Sequence, residues 1–229
     1  TAAYIDHGLR PNEVINEKKI CKDLCKLLNI PLFFRSVDVM TFKNQSGLNK
    51  QEAARQLRYD ALQEIAHNIK ANKIALGHNA DDQAETMIMR LVRGSGSLGL
   101  SGIPPVRKIM RYKVDIIRPL IEIERSEIER FLSNSNLSFV VDSSNLSKNY
   151  LRNRIRHFIM PFLKTTNKDI VKTLCRTADI LRDEERFFEL TVTKTLMKLI
   201  SRKNNNQIEL FLGPLESMDR VILRRVLRR

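Results

Sequence analysis

In the segment Gly77–Thr86, GHNADDQAET, a histidine and three acids lie close together: His78, Asp81, Asp82 and Glu85. Carboxylates and an imidazole at this spacing can hold a hard cation such as magnesium, or orient and deprotonate an amine. A helix start explains part of the pattern without chemistry, since Asp81 or Asp82 can cap the helix and Glu85 can complete a capping box. One acid suffices for a cap, so the second, beside His78, is left for a cation or a cationic substrate amine. Arg55 and Arg58 in NKQEAARQLRY (Asn49–Tyr59) are three apart and share a helix face. Side-by-side guanidiniums suit phosphate, and equally a solvated basic face. In RNRIRH (Arg152–His157) the cations Arg152, Arg154 and Arg156 stand at the start of a helix, against its dipole, where a bound anion would relieve the cost.

These residues need elements to position them. Ala2–Ile5 is a short apolar run ending at Asp6-His7-Gly8, the pattern of a buried strand that delivers polar groups at its end. Pro11 and Asn12 open a helical pattern that Pro31 stops, and Leu32–Val37 resembles a second strand. Asn49 can cap a helix carrying Ala53, Leu57, Ala61 and Ile65, after which Lys73–Leu76 is a third strand ending at Gly77. Strand, helix, strand, helix, strand predicts a parallel α/β sheet, whose strand ends gather ligands.

A helix over Asp81–Val92 breaks at Gly94-Ser95-Gly96, and Ser97–Pro105 is a glycine-rich loop. That loop follows a helix and lacks a closing Lys-Ser or Lys-Thr, so it is a poor phosphate cradle. Ile116–Leu120 is an expected strand, Ile123–Leu132 a helix, Asp142–Tyr150 a polar loop, and Leu151–Leu163 a helix bent near Pro161. Lys164–Lys168 is the expected linker, dividing a domain over residues 1–165 from a mainly helical one over 166–229. In that second part Ile170–Ile200 is helical, Arg202–Gln207 a loop and Ile208–Leu212 a strand. The last segment, Asp219–Arg229, is an amphipathic helix with Arg220, Arg224 and Arg228 on one row and Arg225 with Arg229 on the next.

The 229 residues carry 40 Lys+Arg against 26 Asp+Glu, a formal net charge of +14 that attracts polyanions, nucleic acid first among them. Cys21, Cys25 and Cys175 form no CxxC pair, and the histidines stand at no zinc-ligand spacing near them. Cys21 and Cys25, one helical turn apart, serve as small apolar residues in a reduced cytosolic protein. No stretch reaches the roughly 20 apolar residues that span a bilayer, and Thr1 opens no signal peptide. The expectation is a soluble cytoplasmic protein with no membrane partner.

Taken in order, DHGLR (Asp6–Arg10), NKQEAARQLRY, GHNADDQAET, RGSGSLGLSG (Arg93–Gly102), IRPL (Ile117–Leu120) and RNRIRH resemble the signature of the tRNA(Ile)-lysidine synthetase family. The resemblance covers roughly Ala2–Leu163. It implies an N-type ATP pyrophosphatase, a PP-loop ATPase domain like the adenine nucleotide hydrolases. Such an enzyme adenylates the wobble cytidine of a CAU-anticodon tRNA(Ile) with ATP and magnesium, then joins L-lysine to it. By that resemblance Asp82 and His78 serve the reacting centre and the lysine amine, and Arg58 binds lysine or the adenylate. Asp6, His7, Arg55 and Arg152 lie near the nucleotide and its phosphates. Arg93, Arg154 and Arg156 contact tRNA, while Asp81 and Glu85 are divided between a helix cap and a magnesium site. A homodimer is left open.

The family's pyrophosphate loop, Ser-Gly-Gly-x-Asp-Ser, occurs nowhere in these residues, and its backbone donors are what cradle the leaving group. The chain by itself is therefore expected to be inactive or nearly so, and its helical second domain to be cut short. Two rivals stand beside the ligase. A tRNA cytidine thiolase would share the fold and adenylation but use paired cysteines; a non-catalytic tRNA-binding remnant would keep only the basic surface.

Overall fold

The computed structural model describes residues 1–9, 11–110, 112–140, 150–204 and 207–229, with Pro11 and Asn12 described by backbone alone. Arg10, most of the expected 142–150 loop and part of the 202–207 loop lie outside the described residues. Strand β1 (Ala2–Asp6) leads through α1 (Pro11–Leu27) to β2 (Leu32–Ser36), and α2 (Val39–Ser46) and α3 (Lys50–Asn68) precede β3 (Lys73–Ala75). Next come α4 (Ala80–Val92), α5 (Ser97–Leu100), the strands β4 (Val106–Ile109) and β5 (Val114–Ile117), and α6 (Arg125–Asn134). The remainder is α7 (Leu151–Arg154), a π-helical turn over Ile155–Ile159, α8 (Met160–Thr166), α9 (Ile170–Leu199), β6 (Ile200–Lys203), β7 (Ile208–Leu210), α10 (Leu212–Glu216) and α11 (Arg220–Val226).

The chain forms two compact units, Thr1–Asp82 with Pro104–Asn153, and Gln83–Ile103 with Arg154–Arg229. In the first, β1 pairs parallel with β2 from Ala2↔Leu32 to Asp6↔Ser36, and β3 pairs parallel with β5 from Lys73↔Asp115 to Ala75↔Ile117. The α/β class with parallel strands expected from the sequence is what forms. Helix α1 packs on β1 and β2, and α3 on β1, β3 and β5. Tyr59, Ala66, Ile74, Val114 and Ile116 make the core between α3 and the β3–β5 strands. Val114 and Ile116 are 1% and 0% exposed, so each contributes about 1.5–3 kcal/mol of apolar burial.

Several elements depart from expectation for local reasons. Helix α2 has little apolar periodicity, but Asp38 accepts from the Thr41 amide at 3.0 Å at one end and Gly47, at φ 69, closes the other. Strand β4 pairs antiparallel with β5 along the sheet edge and is mostly exposed, so it lacks the alternation that marks a strand. Strand β5 ends at Ile117, before Pro119, which has no amide to continue a ladder. A short helix, α5, interrupts the glycine-rich loop.

The second unit is built on α9, in which Val171, Ala178, Glu185, Val192 and Leu199, seven residues apart, are all buried. Val192, Leu199 and Val226 form its core, and β6 with β7 makes an antiparallel hairpin where only β7 was expected. The expected bend at Pro161 is a π-helical turn: the Met160 amide donates to the Ile155 carbonyl, five residues back, just before the residue that has no amide. Among the described residues no helix is long and apolar enough to cross a membrane.

Candidate active site

His78 follows β3, Arg118 follows β5, and Asp6 ends β1, so each stands at the carboxyl end of a parallel strand. The start of α4 is fixed by a reciprocal pair: the Asp82 amide donates to Asn79 Oδ1 at 3.0 Å, and the Asn79 amide donates to Asp82 Oδ2 at 3.1 Å. Asn79 is thus the cap residue, and Asp82 plays the part that a capping box gives to its acid. The other carboxylate oxygen, Asp82 Oδ1, accepts from Arg152 Nη2 at 2.9 Å. Asp81 accepts from the Arg125 amide at 2.8 Å, which ties it to the start of α6.

His78 is half-buried, and its Nδ1 is buried with no hydrogen-bond partner. Burial, first of all, drives its imidazole down to about 4; Asp82 opposes the shift, and Arg118, Arg55 and Arg152 add to it. At neutral pH the ring is uncharged beside one carboxylate and several guanidiniums. Such a group accepts or donates a hydrogen bond without adding positive charge, and the surrounding cations favour an anionic ligand.

On α3, Arg55 Nη2 donates to Tyr59 Oη at 3.1 Å, and Arg58 lies one turn from Arg55. Burial, then the Arg55 charge, lowers the Arg58 guanidinium from its ordinary value. Asp6 accepts from the Gly8 amide and from Lys18 Nζ, both at 2.9 Å, and these donors hold its carboxyl below the usual range. His7, next to it, is half-buried.

The second unit holds the remaining expected residues. Glu85, 2% exposed, takes both forks of Arg156, Nε at 2.6 Å and Nη2 at 2.9 Å. Arg93 and Arg154 are exposed. Among the described residues no group of three or more His, Cys, Asp or Glu side chains is placed to hold a metal ion. The structure therefore brings His78 together with Asp82, Arg55 and Arg152, and adds Asn79, Arg118 and Tyr59, for which no role was expected. Arg118 had a signal, a cation directly after a strand end and before proline; Tyr59 and Asn79 had none beyond their neighbours.

A family model described as the PP-loop domain matches residues 1–163. The tRNA(Ile)-lysidine synthase of Clostridioides difficile (strain 630) is 35% identical over 228 residues, covering 99% of this chain and 48% of the relative. That of Clostridium acetobutylicum is 36% identical over 229 residues, with 100% and 48% covered, and that of Bacillus subtilis (strain 168) is 34% identical over 209, with 91% and 44%. The chain spans about half the length of these curated relatives. A solved structure, the U34-tRNA thiolase NcsA from Methanococcus maripaludis with its 4Fe-4S cluster, matches with a TM-score of 0.60 at 19% identity, over 79% of this chain and 60% of that one. At that identity the likeness speaks for the fold alone, and the family match over residues 1–163 places this chain in the PP-loop domain family.

Proposed function

We propose that this chain is the catalytic part of a tRNA(Ile)-lysidine synthetase, with residues 1–165 as its ATP pyrophosphatase domain and 166–229 as the start of a helical second domain. The observation that carries the reading is the grouping of Asp82, His78, Arg55 and Arg152 at strand ends in a chain so similar to lysidine synthases from end to end. In the first step the wobble cytidine oxygen attacks the α-phosphate of ATP and pyrophosphate leaves. In the second, the lysine amine attacks the activated cytidine carbon and AMP leaves.

Each step asks something of these side chains. The lysine ammonium must lose a proton before it can attack, and the Asp82 carboxylate, fixed by Asn79 and Arg152, is the group to hold it and receive that proton. Neutral His78 hydrogen-bonds the reacting centre. Arg58 binds lysine or the adenylate, and Arg55 and Arg152 offset phosphate charge. Asp6 and His7 border the nucleotide, and Arg93, Arg154 and Arg156 serve the tRNA. Magnesium arrives with ATP, whose phosphates supply most of its ligands. Asp81 and Glu85 already accept from the Arg125 amide and the Arg156 fork, donors that would compete with it. The substrates place the reaction in the cytoplasm.

The test is transfer of labelled lysine to a CAU-anticodon isoleucine tRNA with ATP and magnesium. It uses this chain and a form in which a Ser-Gly-Gly-x-Asp-Ser loop and its strand precede it. Transfer by the extended form, reduced about 10²–10⁴-fold by Asp82→Asn, supports the reading. Undiminished transfer by that variant removes Asp82 from the mechanism. No transfer by either form, with tRNA binding intact, favours a binding module.

A further inference from the structure

We propose that Arg107, Arg118 and Tyr59 complete, with Arg55 and Arg58, a subsite that grips phosphate groups of the substrates, an inference that rests on the reading of this centre as one acting on ATP and RNA. The guanidinium carbons of Arg55 and Arg107 each lie 4.9 Å from the centroid of the Tyr59 ring. Arg118 lies beside Tyr59, Arg107 and Arg55. Arg118 is 4% exposed, its Nη1 donates to the Pro104 carbonyl at 2.6 Å, and its Nε is buried with no hydrogen-bond partner.

Among the described residues no carboxylate forms an ion pair with Arg55, Arg58, Arg107 or Arg118. Buried or crowded guanidiniums ordinarily demand an anion, because removing their water is costly and like charges repel. Tyr59 offers a ring quadrupole and one hydroxyl, which orient the cations but do not neutralise them. The missing charge is supplied when a ligand binds. Phosphate fits, since its oxygens accept the paired N–H groups of several guanidiniums at once.

Tyr59 is 7% exposed, so it orients arginines and is no platform for stacking a base. Arg107 lies on the exposed edge strand β4 with Val106 and Lys108, within reach of an extended backbone. Arg118 is buried, and its charge is felt at His78 in the candidate reacting centre. The phosphates can therefore come from the RNA backbone or from the nucleotide.

Arg107→Gln and Arg118→Lys, each checked for a parental circular dichroism spectrum, are compared with the parent chain for binding of an anticodon stem-loop RNA across a salt series, and of ATP and inorganic pyrophosphate. Arg107→Gln is expected to weaken one ligand class about 5–10-fold. If the RNA is the source, the slope of log affinity against log salt flattens by about 0.7–0.9, the release of one phosphate contact, and ATP binding stays as it was. If the nucleotide is the source, ATP and pyrophosphate weaken and the RNA slope is unchanged. Parental affinities for all three ligands in both variants overturn the proposal. Absence of lysine transfer by the form extended with the Ser-Gly-Gly-x-Asp-Ser loop, alongside altered phosphate binding, strikes the ligase reading and leaves the subsite standing.

Discussion

Each unit holds a cluster of arginines, and the two clusters are of opposite kinds. In the second unit the clustered guanidiniums are answered by carboxylates and carbonyls. Glu85 takes both forks of Arg156, and Glu185 takes Arg225 Nη1 at 2.8 Å and Nη2 at 2.6 Å along with the Ser97 hydroxyl. Arg90 donates to the Gly99 and Gly102 carbonyls at 2.6 and 2.8 Å, and Arg182 to the Ser101 carbonyl at 2.8 Å. In the first unit Arg55, Arg107 and Arg118 gather around one tyrosine with no acid. A buried arginine that closes its own ion pair braces the fold and meets any ligand, as proposed for Arg152 and Arg156, with its charge already offset, whereas one left with repelling neighbours has its charge still to be answered. The glycine-rich loop Arg93–Gly102 belongs with the first kind: its carbonyls face Arg90 and Arg182, an arrangement that fixes the loop and leaves no anion cradle on that side.

The largest effect on stability should come from Glu185. It is 3% exposed and occupies the middle of a row of residues buried every seventh position along α9. Glu185→Ala leaves Arg225, whose guanidinium carbon lies 4.5 Å from the Phe188 ring, without its carboxylate. Losing one partner of such a pair costs about 3 kcal/mol, or roughly 6–12 °C in Tm for a chain of this size. Replacing both partners with apolar residues, Glu185→Leu with Arg225→Met, should recover most of it. If thermal melts show the single variant within a degree or two of the parent, the pair is ornamental and the contrast between the units weakens.

A smaller effect concerns His78. Its folded value of about 4 lies below the ordinary 6.5, so between those limits the unfolded chain binds a proton that the folded chain refuses. Stability should therefore rise with pH from about 4 to 6.5 and gain nothing further from this residue above that. His78→Gln should flatten that part of the curve. Melts from pH 4 to 8 on both proteins measure it, and parallel curves would mean that the ring is solvated and titrates normally.

Much of this architecture was legible because apolar periodicity is a local signal. The parallel strands β1, β2, β3 and β5 and the helices α1, α3, α4 and α9 all follow from it. What depends on partners distant in sequence was not. Strand β4 exists because β5 pairs with it, and β6 because β7 does. The candidate site divides likewise. Asp82, His78 and Arg55 were conspicuous by residue type, and RNRIRH was conspicuous as a run of cations at a helix start, for which a bound anion was expected and two of which the chain's own carboxylates meet. Nothing local could reveal that Asp82 answers Arg152 and Glu85 answers Arg156 across some 70 positions. Glu185 was hidden for the converse reason: in Asp183-Glu184-Glu185 it resembles one more solvated acid, and only the spacing of seven marks it as an inward position.

The smallest expected shift discriminates most sharply. Arg107→Gln removes one of several like charges that have no carboxylate, so Tm should stay where it is or rise by a degree or two, within about 0.5 kcal/mol of the parent. Arg225→Gln, which removes the partner of Glu185, should fall well below it. The two substitutions delete the same charge and nearly the same length of side chain, so the difference between their melts isolates what surrounds each guanidinium. Equal losses would mean that Arg107 also supports the fold, through its contact with Tyr59. A stable Arg107→Gln chain with weakened phosphate binding would identify a charge that the folded protein tolerates for the sake of its ligand.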